Sequence, residues 1–209
     1  RQCLIVFKLF NFRAMTTDKF QAAIQLFDKA NSEDPNKETW EGKSYPKELL
    51  YGERMTAMLE NFDAEASEEV QLAVRCKHIR RWEIPRDSYE MNRVGYLQWR
   101  TDLKKFHAKK AGEILASVGY SDAIIEKVSF LLQKKQLKRN KDTQTVEDVI
   151  CLVFLQFYFD AFIVKHSEEK MMDIVMKTWQ KMSEKGHDAA LQLSYSEMAL
   201  TMVKKSLGL

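Results

Sequence analysis

Thr145 to His166 reads TVEDVICLVFLQFYFDAFIVKH, and this stretch decides the fold. Val146, Val149, Ile150, Cys151, Leu152, Val153, Phe154, Leu155, Phe157, Tyr158 and Phe159 leave it almost no polar face. A helix that is apolar all round has to be enclosed by protein. The expectation is a central helix over about 146–165 with the other helices packed around it. Thr145 is expected to cap it, and Asp148 three residues later fits a capping box.

Working outward, the remaining elements also read as helices. Phe20, Ala23, Ile24, Phe27 and Ala30 share one helical face within 17–31. Residues 31–46 are rich in Asn, Asp, Pro, Gly and Ser and read as a loop. Helices are then expected over Pro46–Asn61, Ser67–Trp82, Arg100–Val118 and Ser121–Lys138. Beyond the central helix two more are expected, Ser167–Gly186 and Ala189–Leu207. Arg86 to Gln98 is expected to be a long linker. No strand is expected anywhere, because no segment sustains a two-residue alternation. The expected class is all-α, a compact single-domain multi-helix bundle over residues 15–209.

Composition agrees. The chain has 209 residues with only 7 Gly and 3 Pro, so few breaks interrupt it. Hydrophobic residues make up 45% and charged residues 30%, which excludes an intrinsically disordered chain. Neither GxGxxG nor GxxxxGK[ST] occurs, so no nicotinamide, flavin or P-loop signal is present, and none for haem. No apolar run reaches the roughly 18 residues of a membrane span. Cys3, Cys76 and Cys151 are odd in number and lack a CxxC spacing. They read as reduced thiols, and an intracellular, cytoplasmic location is expected. Arg1 to Ala14, RQCLIVFKLFNFRA, precedes Met15 and is read as a leader outside the fold, with a targeting remnant as the alternative.

The charge is uneven. Arg75 to Lys110 carries eleven Lys or Arg against four Asp or Glu, a local +7 within a chain of net +3, so the remainder carries −4. Trp82, Tyr96 and Trp99 interleave with these cations. A second basic run comprises Lys134, Lys135, Lys138, Arg139 and Lys141. Focused positive charge recruits anions such as phosphates or nucleic acid. The alternative is a set of solvated faces whose arginines pair with acidic neighbours.

Two histidines sit on apolar stripes. His78 follows Val74 by four residues and Val70 by eight. His107 precedes Ala111 by four and Ile114 by seven. With Asp148 they offer two imidazoles and a carboxylate, a workable set for a divalent metal such as Mn, Fe, Zn or Ni. Structural roles in the core and in capping are the alternative for all three.

The segments QLAVRCKHIRRWE (71–83), FHAKKAGEILASVGY (106–120), IIEKVSFLLQKKQLK (124–138) and TVEDVICLVFL (145–155) resemble the HD-domain phosphohydrolase superfamily. That resemblance implies an all-helical fold with His78, His107 and Asp148 as metal-binding catalytic residues. Ile79 stands where the His–Asp doublet of that superfamily has its Asp. PKELLYGERM (46–55), HIRRWEIPR (78–86), YLQWRTDLKKFHA (96–108), EDVICLVFLQFYF (147–159) and TWQKMSEKGH (178–187) resemble an uncharacterised family, domain of unknown function 4202. Lys181 to Lys185, KMSEK, resembles the KMSKS signature of class I aminoacyl-tRNA synthetases. A synthetase is not expected, because the chain offers no Rossmann-type ATP site.

Two functions are therefore expected to compete. One is a metal-assisted phosphohydrolase with His78, His107 and Asp148 at its centre. Arg80, Arg81, Arg100, Lys104, Lys105 and Lys134 would hold the phosphate of a small molecule or nucleotide. The other is a non-catalytic module binding an anionic ligand, RNA or a protein.

Overall fold

The computed structural model describes residues 18–209, so the leader, residues 1–14, lies outside it. The fold is all-α apart from one short hairpin. The described residues divide into two compact units. The first comprises residues 18–53 with Ala66–Gln133, and the second Arg54–Glu65 with Lys134–Leu209.

In the first unit, α1 (18–32) buries Ala23 and Phe27 on one stripe. The expected loop that follows contains two antiparallel strands, β1 (Lys37–Trp40) and β2 (Lys43–Pro46). Glu41 and Gly42 join them with φ of 48° and 76°. Positive φ at both central residues is the turn whose twist suits a hairpin. Four-residue, largely exposed strands carry no alternation to read, which is why the sequence showed only a loop. Asp34 then closes the segment: Oδ1 accepts from Asn36 N and Oδ2 from Glu48 N, both near 3 Å. This bond satisfies an orphan N–H in the first turn of α2 (Lys47–Phe62) and fixes Glu48.

Ser67 caps α3 (Glu68–Arg75), with Glu68 and Glu69 in its first turn. Short 3₁₀ turns follow at Arg81–Glu83 and Arg86–Ser88. The expected linker is largely ordered. α4 runs Arg93–Ser117 and starts well before Arg100, because Asn92 Oδ1 accepts from Gly95 N. Arg86 holds the approach by donating to the carbonyls of Tyr89, Glu90 and Asn92. α4 packs on α5 (Asp122–Leu132), and α5 on α3.

In the second unit, α6 spans Lys141–Val153 and starts four residues before Thr145, with Asn140 as its cap. The expected single helix over 146–165 is interrupted. A π-helical turn at Phe154–Tyr158 leads into α7 (Phe159–Ile163). The apolar reading of α6 holds: Val146, Val149, Cys151, Leu152 and Val153 are buried. The expected helix to Gly186 is two, α8 (Glu168–Trp179) and α9 (Glu184–Leu191). The last, α10, starts at Glu197 rather than Ala189 and ends at Leu207. Serine caps explain both breaks: Ser183 Oγ accepts from Gly186 N, and Ser196 Oγ from Ala199 N. Leu152, Phe159, Met171, Val175, Met182 and Val203 form the core of this unit.

Cys76 and Cys151 are free and buried, and burial pushes both thiols up to about 12. Among the described residues no helix is long and apolar enough to cross a membrane.

Candidate functional site

The first unit gathers a carboxylate, two imidazoles and several cations. Glu48 comes from the first turn of α2, and its side chain is only 9% exposed. His78 comes from the turn after α3, and its Nδ1 meets Glu48 Oε2 at 3.1 Å. Tyr51, one turn after Glu48, stacks on the His78 ring at 3.9 Å and 11°. The imidazole is thus fixed by a hydrogen bond and by a flat aromatic face. His107 enters from α4, its ring 5.8 Å from that of His78.

The protonation states follow from burial. Desolvation raises the Glu48 carboxyl to about 7, against the pull of Arg81 and Lys47. His107 is 4% exposed, and desolvation pushes it well below 6.5. The charges of His78, Lys77, Arg81 and Arg100 push it the same way. His107 is therefore a neutral imidazole at pH 7. Its Nε2 is buried without a hydrogen-bond partner among the described residues. Such an atom is costly unless something completes it.

The expected phosphate-binding residues separate in this structure. Arg81 reaches the site: its guanidinium lies 3.5 Å from His78 Nδ1 and over the Trp99 ring at 5.1 Å. Arg100 adds to the positive field at His107 and lies 3.5 Å from the Tyr96 hydroxyl. Arg80 is turned away. It pairs with Glu33 and Glu83, lies over Trp82 and takes a left-handed φ of 50°. Lys104 is half-buried and Lys105 exposed on α4. Lys134 belongs to the second unit, where it pairs with Glu147.

Asp148 also belongs to the second unit. Its Oδ1 accepts from Ser183 N at 2.8 Å and from Gln144 Nε2 at 3.0 Å, and its Oδ2 from Ser183 Oγ at 2.6 Å. It fastens the start of α9 to α6, a larger role than the local capping box expected from Thr145. Among the described residues no three His, Cys, Asp or Glu side chains are gathered as a metal would require. KMSEK leads into α9, with Ser183 as the cap.

Sequence reasoning missed Glu48, Tyr51 and Lys77. Lys77 is 5% exposed and donates to Leu132 O at 2.7 Å. The signal for Glu48 and Tyr51 was present: they flank Leu50 on a stripe that continues through Met55 and Leu59. A carboxylate there, with a buried His elsewhere, is a pair worth testing.

What this cluster can do is move a proton beside an anion. A carboxyl raised to about 7 can give or take a proton at pH 7, and His78 is the group in hydrogen-bond contact with it. His107 offers a hydrogen bond, while Lys77, Arg81 and Arg100 hold the surroundings positive. Residues 21–203 match the family described as Domain of unknown function (DUF4202). No curated protein and no solved structure matches the chain.

Proposed function

The chain belongs to the DUF4202 family, whose description names no activity, and from the site itself we propose that the Glu48–His78–His107 cluster is an acid–base centre that takes a phosphate-bearing small molecule. The observation that carries this is the 3.1 Å bond between Glu48 and His78 beside the Arg81 guanidinium. Arg81 and Arg100 meet the phosphoryl oxygens, with Arg81 offering its planar fork. Glu48 and His78 take the proton from an attacking hydroxyl or water, or return it to a leaving oxygen. His107 is buried and backs the His78 ring at 5.8 Å.

The resemblance to HD-domain phosphohydrolases supports a hydrolytic reaction. The metal-assisted form, with His78, His107 and Asp148 as ligands, has less behind it. His78 Nδ1 already faces Glu48, and both Asp148 oxygens hold Ser183.

The test is a thermal-shift series with inorganic phosphate, AMP and glucose 6-phosphate, on the wild type and on Arg81→Gln. A ligand bound only by the folded state adds about 2.7 kcal/mol at a hundredfold excess over Kd. A shift of several degrees that falls in Arg81→Gln and not in Arg80→Gln supports the site. A shift that survives in Arg81→Gln and vanishes in Arg80→Gln contradicts it.

A second reading, a binding module without turnover, is favoured by Ile79. It is fully buried where the HD doublet has an Asp. Release of phosphate from a phosphomonoester, abolished by Glu48→Gln, separates the enzyme from the binder.

A further inference from the structure

The second unit holds a concave site that the Glu48–His78 reading does not use. In the turn before α6, Lys134, Gln136 and Lys138 take left-handed φ of 57°, 54° and 74°. Residues with a Cβ adopt that conformation only where their surroundings impose it. Lys138 is held there, its Nζ donating to Met182 O at 2.7 Å. The turn and the start of α9 enclose about 340 Å³, lined by Phe62, Lys138, Arg139, Lys141, Gln144 and Lys185 among others. That volume lies within the range of small-molecule sites, roughly 300–1,000 Å³.

Four cations face two carboxylates in the lining, Asp63 and Asp148. Asp148 already accepts three hydrogen bonds, so it offers the cations little. Lys185 lies over the Phe62 ring at 4.4 Å. Arg139 and Lys141 form no ion pair among the described residues. Asn140 and Ser183, the caps of α6 and α9, both line the cavity, and their side chains accept from Thr143 N and Gly186 N. Gln144 ties the wall together. Its Nε2 donates to Asp148 and to Lys181 O, while its Oε1 is buried with no partner. Gln144 thus braces the wall of the cavity, while Phe62 adds an apolar surface to a cationic lining.

We propose that this cavity is a binding site for a small phosphate ester, its phosphate on Arg139 and Lys141 and its organic part beside Phe62. The proposal is independent of the Glu48–His78 centre. The test is an amide NMR titration of the ¹⁵N-labelled full chain with AMP, glucose 6-phosphate and inorganic phosphate at fixed ionic strength. The expected result is saturable movement of the Lys141, Asp142, Glu184 and Lys185 amides, with at least one ester binding tenfold tighter than inorganic phosphate. The ester that binds tighter, AMP or glucose 6-phosphate, assigns the ligand to nucleotides or to sugar phosphates. The Arg139→Gln, Lys141→Gln double variant, exposed at both positions, is expected to melt as the wild type does and to bind the ester at least tenfold more weakly. Arg81→Gln is expected to leave these amide shifts within twofold of the wild-type affinity. The proposal is overturned if these amides stay still at millimolar ester, or if the double variant binds as the wild type does. It is equally overturned if inorganic phosphate binds as tightly as both esters. A single-stranded oligonucleotide that binds tighter than the esters, with steep salt dependence, would replace it with a nucleic-acid surface.

Discussion

His78 Nδ1 and Glu48 Oε2 stand 3.1 Å apart although thirty residues separate them along the chain. The contact exists because Asp34 accepts from the Glu48 amide and so pins the start of α2, while the turn after α3 presents His78. A buried carboxyl near neutrality and a stacked imidazole are thereby held in one geometry before any ligand arrives.

The first prediction concerns pH. The folded state raises Glu48 from 4.5 to about 7, so it binds the carboxyl proton more tightly than the unfolded chain does. Stability from Glu48 is full below about 4.5 and is lost as pH rises through about 7. At about 1.4 kcal/mol per unit the loss is at most about 3 kcal/mol. His107, held below 6.5, works in the opposite sense: its share is present above 6.5 and falls as the solution is acidified. Glu48→Gln isolates the first effect. The stability of wild type relative to Glu48→Gln should decline steadily from pH 5 to pH 8, by melts at each pH. A constant difference would contradict the raised carboxyl.

His107→Leu separates folding from function. The substitution removes a buried nitrogen without a partner, a group that costs about 1–3 kcal/mol when unsatisfied. The variant is expected to melt at or above the wild-type temperature. Phosphate-dependent stabilisation is expected to fall. Loss of several kcal/mol in stability would show that the imidazole is a structural core residue.

The two adjacent arginines should behave in opposite ways. Arg80 pairs with Glu33 and Glu83 at a partly exposed site. Arg80→Ala is expected to cost about 1 kcal/mol and to leave phosphate binding unchanged. Arg81→Gln is expected to leave the melt nearly unchanged and to remove the phosphate-induced movement of the His78 and His107 ring signals. The crossed result would reassign the site.

Asp148 and Gly186 test the second unit. A Cβ on Gly186 would fall 2.7 Å from Asp148 Oδ1, an atom already fixed by two donors. Gly186→Ala is expected to cost about 1–3 kcal/mol by overpacking. Asp148→Ala should cost a similar amount, because it leaves Ser183 N and Oγ without their acceptor. Metal analysis of the purified protein should find no stoichiometric divalent ion lost in this variant. Stoichiometric Mn, Fe, Zn or Ni lost on Asp148→Ala or His107→Ala would restore the metal-assisted reading.

The sequence made the all-α class legible through the apolar stripe of α6 and the scarcity of Gly and Pro. It also placed His107 on an inward face of α4, at helical spacing from Ala111, whereas His78 stands in the turn beyond α3 and not on the helical stripe expected of it. The boundaries it missed were set by single side chains. Asn140, Ser183 and Ser196 each cap a helix inside what read as a continuous pattern or a loop, and periodicity does not register one oxygen. The π-helical turn at Phe154–Tyr158 lies inside an unbroken apolar run, where no polar residue marks a change of pitch. Glu48 was missed for a different reason. Its role depends on Asp34 and His78, which are remote in sequence and meet it only in the folded unit. Core costs shift accordingly: Phe159, 1% exposed, should lose about 3–5 kcal/mol on truncation to Ala, more than the half-buried Phe154.

The most direct measurement is imidazole ¹⁵N NMR of the full chain from pH 5 to pH 8, with and without AMP. The account predicts that His107 titrates well below 6.5, since burial and the nearby charges of Lys77, Arg81 and Arg100 oppose its proton. It further predicts that adding AMP moves the His107 and His78 ring signals saturably in the wild type and not in Arg81→Gln. A His107 that titrates near 6.5, or imidazole signals that ignore AMP while the protein binds it, would contradict the acid–base centre.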